Sequence, residues 1–145
     1  MLAAIVARMP TVDDVRRIAL ALPQTSERPS HDGTPAWRVK DKLFVWERPL
    51  RRADHAALGD AAPQGAILGA RVADLGTKEA LLASEPDVFF TTPHFDGYPI
   101  VLVRLDAIPR DELEELIVEA WLDRAPRRLA RQYLDEGSPD PPRSG

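Results

Sequence analysis

Three histidines, at positions 31, 55 and 94, are the side chains of this 145-residue chain best suited to moving protons near neutral pH. None stands at metal-ligand spacing from another. The chain has no cysteine, so thiolate metal sites, disulfides and cysteine nucleophiles are excluded. His31 lies between Ser30 and Asp32, the residue types of a nucleophilic triad, but neighbours on one loop cannot reach triad geometry among themselves. His94 falls in the run Pro93-His94-Phe95-Asp96-Gly97, where polar residues and glycine serve a turn. Asp111, Glu112, Glu114, Glu115 and Glu119 could supply paired carboxylates for acid–base work. Helical spacing sets them opposite an apolar stripe, which reads as a solvated face with acids near a helix N-terminus. Neither G-x-G-x-x-G nor a Walker A sequence occurs, so no glycine loop is built for phosphate. With no reactive constellation, the expectation is a non-enzymatic protein without metal or cofactor.

The one concentration of positive charge is Arg38, Lys40, Lys42, Arg48, Arg51 and Arg52, set against Asp41 and Glu47. Arg38 and Lys40 alternate with Trp37 and Val39, so they face away from the apolar side of a strand pair. A basic ribbon of this kind can lie along phosphates, and these six residues are the candidate nucleic-acid-binding set. The plainer reading is a solvated strand surface. Arg124, Arg127, Arg128 and Arg131 form a second basic group near the C-terminus. The formal net charge of −4 weakens any reading in which the whole surface attracts nucleic acid. Arginine outnumbers lysine 16 to 3, which reads as base composition rather than recognition chemistry.

These residues must be held by elements that the hydrophobic pattern makes legible. Thr11 with Asp13 and Asp14 starts a helix over 12–22, and Pro23 stops it. The polar stretch from Pro23 to Pro35 reads as a loop. Residues 36–47 read as a β-hairpin turning at Lys40-Asp41 or Asp41-Lys42, with Trp37, Val39, Phe44 and Trp46 on one face. The connection from Arg48 to Gly65 carries a helical turn near 53–58. A third strand follows over 67–72, with Gly69 as a candidate bulge. A short helix over 78–84, capped by Thr77, leads to strands near 88–92 and 100–105. The run Ile100-Val101-Leu102-Val103 suits a strand covered on both faces. Leu113, Leu116, Ile117, Ala120 and Trp121 form one continuous stripe on the helix that follows. A last helix begins after Pro126 and ends at Gly137. The order predicts an α+β fold, an antiparallel sheet with helices packed on one face. Residues 11–136 form one domain, 1–10 an N-terminal extension and 137–145 a disordered tail. The apolar N-terminal run is too short to span a bilayer, and the expected location is cytoplasmic.

The order and spacing of these pieces resemble the MmcQ/YjbR-like family. The matching pieces are Ala21-Leu22-Pro23, Ala36-Trp37-Arg38-Val39 with Lys42-Leu43-Phe44, and Leu81-Leu82 followed by Pro86-Asp87-Val88-Phe89-Phe90. Pro93-His94, Gly97-Tyr98, Val101 to Leu105 and the helix from Asp111 to Trp121 complete the match. The resemblance covers about Val12 to Tyr133. It implies a fold similar to the double-wing module of the phage transcription factor MotA, and with it a DNA-binding role. It brings no catalytic residues. The chain departs from the family pattern at Lys40-Asp41-Lys42, where a glycine is common. The function expected is weak DNA binding through the basic hairpin. The alternative is a non-catalytic module that binds an acidic protein or a small molecule.

Overall fold

A computed structural model of the chain describes residues 9–137; the readings made for the N-terminal run and for the tail beyond 137 lie outside them. The first helix, α1, spans Val12–Leu20. Its start is a reciprocal cap: Asp14 accepts from the Thr11 backbone N–H at 2.8 Å, and Thr11 Oγ1 accepts from the Asp14 N–H at 3.4 Å. Two N–H groups that a helix start leaves unpaired are thereby satisfied.

Six strands follow: β1 (Thr25–Pro29), β2 (Pro35–Val39), β3 (Lys42–Glu47), β4 (Ile67–Arg71), β5 (Phe89–Phe90) and β6 (Ile100–Arg104). They form one antiparallel sheet in the order β1-β2-β3-β4-β6-β5. β1 lies in the stretch that the sequence marks as loop. Thr-Ser-Glu-Arg-Pro has no apolar residue to announce a strand, and the segment is held through its partner. Glu27 sits opposite Trp37, and its Oε1 accepts from Trp37 Nε1 at 3.0 Å and from Arg16 Nε at 2.8 Å.

The hairpin of β2 and β3 turns at Lys40-Asp41, with φ of +49° and +72°. Two left-handed residues in succession match the right-handed strand twist, which is why glycine is favoured in such turns. Beyond Arg38 opposite Leu43 the register slips, so that Trp37 meets Val45 and Ala36 meets Trp46. Phe44 is the extra residue of a β-bulge. The bulge changes the parity of β3. Trp37, Val39 and Phe44 share the main core face as anticipated, and Val45 joins them, whereas Trp46 crosses to the other face.

The helices after α1 are α2 (Arg52–Leu58), α3 (Leu75–Ser84), α4 (Arg110–Arg124) and α5 (Arg127–Gly137). α3 begins three residues earlier than its sequence pattern suggested. Asp74, not Thr77, is the cap, accepting from the Thr77 N–H at 2.8 Å. α4 lies across β3 and β4 and contacts α1. The stripe Leu113, Leu116, Ile117, Ala120 and Trp121 is buried against the sheet, and Trp121 is fully enclosed, donating from Nε1 to the Pro23 carbonyl at 3.0 Å. Tyr133 of α5 meets Trp121 with ring centroids 5.0 Å apart. The opposite sheet face carries a smaller cluster, Ile67, Phe90, Phe95 and Leu102, packed by Trp46, Leu50 and Leu58. β6 therefore has Val101 and Val103 in one cluster and Leu102 in the other, as a strand covered on both faces requires. Gly69 makes no bulge, since β4 pairs with β6 without interruption. Among the described residues no helix is long and apolar enough to cross a membrane.

Candidate functional site

The six hairpin cations do not form one surface. Arg48 is buried, its Nη2 3.0 Å from Asp54 Oδ2, with its guanidinium over the Phe95 ring at 5.2 Å. Burial alone would raise the Asp54 carboxyl; the Arg51 backbone N–H and the charge of Arg48 more than offset this and hold it low. Arg48 is thus an internal brace between the end of β3 and α2, and its position corrects its assignment to an exposed basic face. Arg51 is exposed, with Nη2 3.7 Å from Asp32. Arg38 is half-buried and donates to the Asp41 carbonyl at 3.4 Å. It pairs with Leu43 in the register, while Lys42 pairs with Val39, so Arg38 and Lys42 belong to opposite sheet faces. Lys40, Lys42 and Arg52 are exposed. Arg28 of β1 reaches Asp41 at 3.2 Å and compensates the negative charge of the turn's acid. His31 and His94 line a cleft of about 290 Å³ with Arg38, Arg48 and Arg51, but Asp32 and Glu47 line it too. Of the three arginines, Arg48 pairs with Asp54 and Arg51 lies near Asp32, whereas Arg38 is in none of the ion pairs among the described residues.

A different arrangement occurs where β4 ends and α3 faces α4. A groove of about 790 Å³ opens there, with Val72, Leu81, Phe89 and Leu116 as its apolar lining. Carboxylates gather around that floor: Glu85 from the end of α3, and Asp111, Glu112, Glu115 and Glu119 from α4. Arg71 is the single cation among the lining residues. Burial pushes the Glu112 carboxyl up, the hydrogen-bond contact with Glu85 adds to it, and the charges of Glu85, Asp111 and Glu115 bring it to about 7. A carboxyl drawn out of full contact with water beside another anion is costly to ionise, so Glu112 keeps its proton well above the usual carboxylate range.

These acids correct the reading of α4 as having a purely solvated outer face. Glu112 and Glu119 stand four residues before and three after Leu116, so they border the apolar stripe rather than oppose it. That spacing is visible in the sequence. What it could not reveal is that the end of α3 brings Glu85 to the same place. Lys78 on α3 was likewise silent in the sequence. It is buried and its Nζ donates to the carbonyls of Phe95 and Tyr98 at 2.7 and 2.9 Å, tying α3 to the turn before β6. Burial holds its ammonium below the usual lysine range, with the charge of Asp96 opposing. Among the described residues no group of three or more histidines and acids is placed to hold a metal ion.

Comparison with known proteins places these features in a family. The chain is 56% identical over 129 residues to uncharacterized proteins of Mycobacterium tuberculosis and Mycobacterium bovis, covering 87% of this chain and 97% of each relative. A crystal structure of a Deinococcus radiodurans protein with a DUF419 domain superposes with a TM-score of 0.56 at 21% identity, covering 89% of this chain and 82% of that one, a likeness of fold. Residues 20–122 match the family model described as YjbR. That span takes in the hairpin, all of the acidic groove and the stripe of α4, and the chain belongs to the YjbR family.

Proposed function

We propose that this chain is a non-catalytic binding module whose ligand is a small molecule held in the groove between α3 and α4. One observation carries the reading: a groove with an apolar floor that includes Val72, Leu81, Phe89 and Leu116, of a volume typical of small-molecule sites and bordered by carboxyl groups. The cleft on the hairpin side is much smaller, about 290 Å³. The test is a fragment screen by amide-resolved NMR on the full chain. Hits are expected to move the resonances of Thr77, Leu81, Glu85, Phe89 and Leu116. Hits that cluster on the hairpin instead would overturn the assignment.

A second reading, weak DNA binding, is favoured by Lys40, Lys42 and Arg52, which are exposed at and beyond the hairpin and appear in none of the ion pairs among the described residues. Such binding would rest on phosphate contacts and fall steeply with salt. Fluorescence anisotropy of duplex and single-stranded oligonucleotides at low and physiological salt tests it. The expected result is micromolar or weaker affinity that disappears when Lys40, Lys42 and Arg52 are all replaced by Glu. No binding at low salt, or equal binding by the triple variant, would remove this reading and leave an acidic protein partner as the remaining role for the hairpin.

A further inference from the structure

We infer that the ligand of the α3–α4 groove is an organic cation, a protonated amine carried on an apolar body, and that its ammonium is received by Glu112 and Glu85. The inference rests on the groove being the binding site and adds the chemical class. Shape and charge argue it together. The floor of Val72, Leu81, Phe89 and Leu116 favours a hydrocarbon or aromatic body. Five carboxyl groups against one arginine make the rim strongly negative even when Glu112 holds its proton. A carboxylate ligand would meet that rim unfavourably, with Arg71 as its one attractive partner. A neutral ligand would cover the carboxyls without replacing their water, and burying an unpaired charge is costly. An ammonium meets both demands, since it gives the Glu85 and Glu112 carboxylates a cationic partner as they are covered.

Binding is then coupled to a proton. Glu112 in the free groove still holds its proton about half the time near pH 7, and an arriving ammonium displaces that proton to solvent, so it takes over the charge the proton had balanced. Asp111 and Glu115 of α4 act on Glu112 together with Glu85, and Glu119 of α4 and Arg71 of β4 are the other charged groups lining the groove. Asp111 and Glu115 help to retain the proton in the free state. If only ionised Glu112 accepts the cation, the competent fraction rises from roughly one-tenth at pH 6 to roughly nine-tenths at pH 8, about a tenfold gain in affinity.

Three probes of matched shape decide the matter: 2-phenylethylamine, 2-phenylethanol and 3-phenylpropionate, each titrated into the full chain at pH 6 and pH 8 with amide NMR as the readout. The amine is expected to shift groove resonances, to bind at least fivefold more tightly than the alcohol, and to gain severalfold from pH 6 to pH 8. Glu112→Gln should remove that pH gain, and a thermal melt establishes that the variant is folded. Glu85→Gln serves as the second variant and should weaken the amine in the same way. If the alcohol or the propionate binds the groove as well as the amine, the cation assignment is wrong while the groove itself stands. If none of the three moves groove resonances at millimolar concentration, the groove reading falls and this inference with it.

Discussion

The indole of Trp46 occupies the space that a side chain at position 69 would need: a Cβ built on Gly69 would lie 2.5 Å from Trp46 Cε2 and 2.6 Å from Cζ2. The two residues are register partners across β3 and β4, and Trp46 stands on that face because the bulge at Phe44 turned it there. Gly69→Ala should destabilise the protein by about 1–3 kcal/mol through overpacking. A chemical melt measures this. Replacing Trp46 by Leu in the same chain should recover part of the loss, because contacting residues couple. Equal additive losses would show that the ring yields freely.

The Asp14 carboxylate receives Arg110 Nη1 at 3.0 Å and Nη2 at 3.3 Å, joining the starts of α1 and α4, and Arg17 also pairs with it. Burial would raise this carboxyl, and the Arg110 and Thr11 hydrogen bonds instead hold it at about 2. A depressed carboxylate contributes stability that is present above its unfolded pKa and lost as pH falls through the folded one. Asp14→Asn should therefore cost about 2 kcal/mol at neutral pH, and the gap to the parent should close between pH 4 and pH 2. Melts at stepped pH check the sign; a gap that persists at pH 2 would place the contribution elsewhere.

Glu112 has the opposite sign. Its folded carboxyl is raised from 4.5 to about 7, so the folded state binds the proton more tightly and loses stability as pH rises through that window. Glu112→Gln should stabilise the protein at pH 8 by roughly 1–2 kcal/mol after allowance for solvent screening, with no gain below about pH 4.5. A variant that is less stable at pH 8 would contradict the raised Glu112 carboxyl.

Arg48 and Lys42 separate packing from recognition. Arg48→Ala leaves Asp54 buried without its partner and should cost about 3–5 kcal/mol. Lys42→Ala, at an exposed strand start, should stay within about 0.5 kcal/mol. Similar losses for both in a denaturant melt would mean that the Arg48–Asp54 pair is not the brace described.

Trp121→Ala should cost about 3–5 kcal/mol, since the indole is fully enclosed and also serves the Pro23 carbonyl. A loss under about 1 kcal/mol would mean that α4 is not docked by this residue.

The parts of the fold that repeat were legible. The stripe of α4 and the apolar run of β6 declare themselves because burial imposes a period on the sequence. The cap of α1 was readable from Thr11 and two acids, and it forms. What escaped were features set by a partner. β1 is a strand because Trp37 and Arg16 meet Glu27, not because of its own residues. The bulge at Phe44 is a choice of register that alternation cannot encode, and it alone misplaced Trp46. The groove escaped for a related reason. Its acids on α4 were visible, but their meaning depends on Glu85, Val72, Leu81 and Phe89, which come from other segments of the chain before α4.

The sheet's two outermost strands bear on how the molecule behaves in a crowded solution. β5 is two residues long, and β1 ends in Pro29, which has no N–H to offer, beside the charged Glu27 and Arg28. Neither rim presents an unbroken row of donors and acceptors to another chain. Joining sheets rim to rim is thereby disfavoured, and crowding should not drive copies into cross-chain ladders.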